Sequence, residues 1–145
     1  MKRFASIWLP RFRIDRLRRE RPGSVPKDKP FALVESGPRG IVISAINRPA
    51  WMKGVRVGQA LNDARAILPA LITRPGEVAR DAVVLGRLAL WLGRYGPSRN
   101  IEGEDGLWGD ITGVAHLFGG EEGLARDCLE RLEAAGFTAR LGIGD

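Results

Sequence analysis

"SRNIEGEDGLWGDITG", residues 98 to 113, is the stretch on which the reading of the fold turns. Its glycines and alternating apolar positions predict a β-hairpin. Within ten positions, 104 to 113, it carries three carboxylates, Glu104, Asp105 and Asp110, together with Trp108. Metal-dependent phosphoryl transfer is often built on acidic strands of this kind. Asp105 and Asp110 are five positions apart, an odd spacing that sends their side chains to opposite faces of an extended strand, about 16 Å apart along it. The two cannot share a metal ion there, and Asp110 with Thr112 is expected to end the strand and cap the turn that follows.

Before the hairpin, "EVARDAVVLGRLALWLGRYGP" (77 to 97) predicts a long apolar helix from about Val78 to Tyr95, stopped by Gly96-Pro97. Its breadth of apolar residues implies burial against a sheet. After the hairpin, "GGEEGLARDCLERLEAAG" (119 to 136) predicts an amphipathic helix through Leu124, Cys128, Leu129 and Leu132, and "FTARLGIG" (137 to 144) a last strand.

At the other end, "RFASIWL" (3 to 9) reads as a strand with Ala5, Ile7 and Leu9 on its better-buried face, closed by Pro10. "RFRIDRLRRE" (11 to 20) reads as a short helix with a strongly basic outer surface, and the Pro- and Lys-rich 21 to 30 as a loop. "FALVES" and "IVISAI", joined by "GPRG", predict a second hairpin, followed from 47 to 69 by two short helical segments around Gly54 and Gly58. Leu61, Ala64, Ile67 and Leu68 would form the inner face of the second. "LITRPG" (71 to 76) makes a further short strand. The fold class is therefore α+β, a mostly antiparallel sheet with helices on one face. Because the chain ends on a strand, it is expected to be a piece of a longer polypeptide.

With 145 residues, 44% of them hydrophobic, the chain can build one real core. One cysteine, Cys128, and one histidine, His116, rule out a disulfide framework and a Cys/His zinc site. The apolar run from Phe4 to Leu9 is too short for a signal-peptide core, and no membrane span is present, so a cytoplasmic protein is expected. Charge is uneven: residues 1 to 99 hold 20 Lys and Arg against 7 Asp and Glu, and residues 100 to 145 hold 3 against 10. The first part suits a polyanion and the second repels one.

Three stretches, "FASIWLPRFRIDRL", "GIVISAINRPAWMKGVRVGQALNDARAILP" and "DGLWGDITGVAHLFGG", in this order resemble the start of the Y-family DNA polymerases, the lesion-bypass class. They are most similar to the family's ImuB branch, which has lost catalysis. The resemblance implies a palm-like domain from residues 1–19 and 77–145, a fingers-like insertion over 20–76, and thumb and little-finger domains that lie outside this chain.

Active members of the family hold two Mg²⁺ with an Asp on the first palm strand and an Asp-Glu pair on the later hairpin. Aligning the first strands directly puts Ser6 and Trp8 at the acidic positions, and anchoring on Phe12 puts Trp8 and Pro10 there. Neither register supplies a carboxylate, and the first acid in the chain is Asp15. Aligning "DIT" (110 to 112) puts Asp105 at the hairpin Asp and Gly106 at its Glu. The family's nucleotide-gripping Tyr and Arg fall on Arg48 and Trp51.

The resemblance thus implies a non-enzymatic polymerase-like protein of error-prone translesion synthesis, with Ser6, Trp8, Asp105 and Gly106 as degenerate catalytic positions and with no cofactor. DNA is the expected partner, met by Arg11, Arg13, Arg16, Arg48 and Lys53. A sliding clamp, an ImuA-type RecA-like protein and an error-prone replicative-type polymerase are further implied partners. An active bypass polymerase with an atypical site, or an unrelated basic nucleic-acid-binding module, are the alternatives. Trp8 and Trp108, one from each strand, are expected to pack together where the carboxylates would have been.

Overall fold

The computed structural model describes residues 1–145, which divide into two compact units: Met1–Phe12 with Ala79–Asp145, and Arg13–Val78. In the first unit, strands β1 (Phe4–Trp8), β5 (Ser98–Glu102), β6 (Gly106–Asp110) and β7 (Arg140–Gly144) form one sheet in the order β5-β6-β1-β7. Every neighbouring pair is antiparallel. Ile7 of β1 lies between Leu107 and Leu141, so the alternation that makes Ala5, Ile7 and Leu9 apolar lines up with the apolar positions of both neighbours. All three are buried, as the period-2 pattern predicts.

Two helices cover that face. Helix α4 (Val78–Trp91) contributes Val84 and Leu85, and α5 (Glu121–Ala134) contributes Leu124, Cys128 and Leu132, all in one apolar cluster with the inner face of β1 and with Leu107. Burying a Leu or Ile side chain in this way stabilises the fold by about 1.5–3 kcal/mol per residue. The predicted helix to Tyr95 tightens into a 3₁₀ turn at Leu92–Tyr95 before Gly96 ends it. There Tyr95 donates its hydroxyl to Asp127 at 2.5 Å. Burial followed by that bond drives the Tyr95 hydroxyl far above its ordinary range. Arg3 ties the start of β1 to the first turn of α5 by a two-pronged pair with Glu121, both N···O distances being 2.9 Å.

The second unit has its own sheet, β3-β2-β4, from β2 (Phe31–Gly37), β3 (Gly40–Ile46) and β4 (Ile72–Pro75). The β2–β3 hairpin is antiparallel as predicted, and β4 joins parallel to β2. Around it lie α1 (Phe12–Glu20), α2 (Arg48–Met52) and α3 (Leu61–Ile67). On α3, Leu61 and Ala64 are buried and Leu68, just past its end, packs against them, but Ile67 is exposed. The spacing 61, 64, 68 already completes one face, and Ile67 falls beside it.

Helix α1 departs most from its reading. Ile14 and Leu17 are buried as expected, but so are Asp15 and Arg16. What the helix leaves exposed is Arg19 and Glu20, with Arg13 and Arg18 half-buried, so its basic outer surface is narrower than its sequence suggests.

Candidate functional site

The hairpin acid sits where β1 ends. Strands β5 and β6 close over the turn 103–105, and Leu9 donates its N–H to the Asp105 carbonyl at 2.8 Å, extending the β1–β6 pairing one step past Trp8. The Asp105 backbone is thereby fixed beside the end of β1. Its Oδ2 accepts the Trp8 indole N–H at 3.3 Å, and the Arg140 guanidinium of β7 lies over the Trp8 ring, 5.8 Å from its centroid. Asp105 thus faces an indole with a cation behind it.

Ser6 pairs with Trp108 across the sheet, and Trp8 with Gly106. The expected packing of Trp8 on Trp108 gives way to two separate arrangements among the described residues. Trp108 meets Phe4 edge-on at 5.6 Å, whereas Trp8 turns toward Asp105 and stays 49% exposed. The reason is polar: the indole N–H finds an acceptor in the Asp105 carboxylate at the strand end.

Gly106 is tightly built in. A Cβ placed on it would lie 2.8 Å from the Glu102 carbonyl oxygen and 3.4 Å from the Glu102 Cβ, across the narrow end of the hairpin. Gly106→Ala is expected to cost about 1–3 kcal/mol in chemical denaturation, the usual loss for overpacking. Unchanged stability would mean that the hairpin opens freely to admit a side chain.

Asp110 behaves as expected at the other end of β6. Its Oδ1 accepts the Thr112 N–H at 2.9 Å, and the Thr112 hydroxyl, then this N–H, hold the carboxyl below the ordinary carboxylate range. Among the described residues no group of three or more His, Cys, Asp or Glu stands close enough to hold a metal ion. Burial pushes the Cys128 thiol up to about 12, so it is protonated at neutral pH and unsuited to nucleophilic chemistry.

The five cations expected to meet DNA divide sharply. Arg11, Arg48 and Lys53 are exposed. Arg16 is 1% exposed and pairs with Glu20 at 3.4 Å and Glu77 at 3.3 Å. Arg13 pairs with Glu35 at 3.1 Å. The expectation for these two is corrected: their guanidiniums are engaged inside their own unit. Glu20 lies one turn on and was legible, but Glu77 is 61 positions away and Glu35 is 22 away, so no local pattern announced them.

Arg48 opens, and Lys53 caps, a short helix, α2. Asn47 caps α2 by accepting the Ala50 N–H at 3.1 Å, and Pro49 follows in the first turn. At the far end Gly54, with φ 95°, lets its own N–H reach the Trp51 carbonyl and the Val55 N–H reach that of Ala50. Ala50 and Val55 are both fully buried, so the helix is fastened at two ends and turns Arg48, Trp51, Met52 and Lys53 to solvent.

A four-stranded antiparallel sheet backed by two helices, with an acidic hairpin beside its first strand and a smaller β-rich unit inserted after that strand, is the arrangement of a DNA polymerase palm and fingers. Among solved structures, an insertion ternary complex of Dbh DNA polymerase superposes with a TM-score of 0.84 at 20% identity, covering 98% of this chain and 42% of that one. DinB from Sulfolobus solfataricus gives 0.81 at 20% identity over the same shares. The chain belongs to the impB/mucB/samB family, whose model matches residues 7–145. Protein ImuB of Caulobacter vibrioides, from each of two strains, is 41% identical over 92 residues, 63% of this chain. That segment spans only 20% of the length of these curated relatives. No helix is long and apolar enough to cross a membrane among the described residues.

Proposed function

We propose that the chain is the palm and fingers portion of a non-catalytic, polymerase-like accessory protein of translesion DNA synthesis, which binds DNA and brings other proteins to it. Residues 1–19 with 77–145 play the palm and 20–76 the fingers, with thumb and little-finger domains supplied by further sequence; the compact units divide a little differently, at Phe12/Arg13 and Val78/Ala79. The observation that carries this reading is the state of Asp105. A two-metal centre needs several carboxylates converging on ions about 3.5–4 Å apart. Here the acid faces an indole donor, Gly106 has no room for a side chain, and β1 carries no acid. The residues present do not fit a catalytic Mg²⁺ pair.

Of the two registers left open by the sequence, the contact between Trp8 and Asp105 supports the one that sets Trp8 at the leading acidic position. Ser6, facing Trp108 two residues further along, fits that place less well. Recruitment of a sliding clamp, a RecA-like partner and an error-prone replicative-type polymerase is part of the same proposal and rests on the likeness to ImuB. A cytoplasmic setting follows from the same role.

The complete gene product, given Mg²⁺, a primer-template and all four deoxynucleoside triphosphates, is expected to yield no extended primer while still retarding that DNA. Magnesium-dependent extension abolished by Asp105→Asn would establish the active-polymerase alternative instead. DNA affinity is expected to fall steeply with salt, and replacing Arg48 and Lys53 by Ala to reduce the slope of log K against log salt by about 1 per residue. A slope unchanged by both replacements would place the phosphate contacts elsewhere.

A further inference from the structure

From Ser36 to Asn62 the chain contains no acidic residue, and in that span stand Arg39, Arg48, Lys53 and Arg56. In the middle of it is Trp51, 53% exposed, flanked by Met52 at 63% and Val57 at 61%. Leaving an indole in water is unfavourable, and here the exposure is held in place. The Arg56 guanidinium lies over the Trp51 ring, 4.7 Å from its centroid, and the same Nη1 donates to the Trp51 carbonyl at 2.9 Å and the Val55 carbonyl at 2.8 Å. The backbone beneath is fixed by the Gly54 turn already described. The ring is therefore propped from one side by an anchored cation, and little further ordering is needed for something flat to settle on it.

We propose that Trp51, backed by Arg56, is a stacking platform for an unpaired nucleobase of single-stranded DNA, with Arg48 and Lys53 meeting the phosphates on either side. The chemistry selects this occupant. An exposed aromatic surface in a run of chain whose only charges are cationic matches a ligand that is at once flat, apolar on its faces and polyanionic, and a strand offers all three at once. An apolar peptide would gain from the indole but nothing from four cations without a counter-charge. The position that grips triphosphate in active relatives would here read a base.

This inference rests on the DNA-binding reading above, and the test separates the two. Binding of the chain to an oligothymidylate is compared with binding to an abasic oligomer of equal length, which keeps the phosphates and removes the bases. Trp51→Ala is expected to weaken oligothymidylate binding by about 5- to 150-fold, to leave abasic binding unchanged, and to keep the wild-type melting temperature because the side chain is exposed. Trp51→Phe should restore most of the difference. Equal weakening on both oligomers, or none on either, overturns the platform while leaving DNA binding intact. Displacement of the strand by excess free deoxynucleoside triphosphate also overturns it, in favour of a mononucleotide site. If the unmodified chain binds neither oligomer, both the platform and the DNA-binding reading fall.

Discussion

Asn47→Ala is expected to cost about 3–5 kcal/mol of unfolding free energy, read from the shift of a urea transition. The Asn47 side chain uses its whole hydrogen-bonding capacity. Its Oδ1 accepts the Phe31 N–H at 3.0 Å and the Ala50 N–H at 3.1 Å, and its amide donates to the Pro26 and Lys29 carbonyls at 3.2 and 2.8 Å. One buried side chain thereby joins the 21–30 loop, the first residue of β2 and the start of α2. Removing it strands two buried N–H groups, each worth about 1–3 kcal/mol of desolvation, and frees the loop as well. Asn62→Ala, at an exposed position of α3, provides the contrast and should change stability by no more than about 0.5 kcal/mol. A loss below about 1 kcal/mol at Asn47 would mean that water takes over its bonds.

Position 47 also marks a boundary of what the sequence could tell. As an N-cap before Pro49 it is a local signal, and the helix that follows is legible on that ground. The bonds to Phe31, Pro26 and Lys29 reach back 16 to 21 positions and depend on the β2–β3 hairpin being formed. The same division runs through the molecule. Ala5, Ile7 and Leu9 on one face of β1, and Leu124, Cys128 and Leu132 on one face of α5, follow from periodicity, and periodicity is set by backbone geometry alone. Arg16 does not follow from it. On a helix wheel it belongs with the other arginines, and its burial draws on the distant Glu77 as well as on the neighbouring Glu20.

The candidate site was legible to the same extent. That β1 lacks acids and that Gly106 lacks a side chain are facts of composition, and the proposed loss of a metal pair starts from them. What the acid does instead required the strand register. Trp8 and Asp105 are 97 positions apart, and their contact arises because the end of β1 lies beside the start of β6. Arg48 and Trp51 of α2 and Lys53 at its cap lie in between: their identity was readable, but their fixed presentation depends on the Gly54 turn and on Arg56 folding back onto Trp51.

Gly96→Ala is expected to cost about 3–5 kcal/mol, from two causes that add. The first is conformational. Gly96 has φ 156° and ψ 162°, a region open essentially to glycine alone, and it is there that the 3₁₀ turn swings out toward β5. The second is steric. A Cβ on Gly96 would lie 2.2 Å from the Asp110 carbonyl oxygen, a backbone atom of the strand that pairs with both β1 and β5. That atom cannot withdraw without disturbing the end of β6, so relaxation would spread into the hairpin that holds Asp105. Gly86→Ala tests whether backbone context, and not glycine removal as such, decides the sign. Gly86 lies inside α4 with open space where a Cβ would go, so the substitution should stabilise the chain by about 0.5–1 kcal/mol. Opposite signs at positions 86 and 96 are the expected result in parallel denaturation curves. A mild effect at 96 would show that β6 is free to move at its Asp110 end, while its start stays held by the Leu9 N–H on the Asp105 carbonyl.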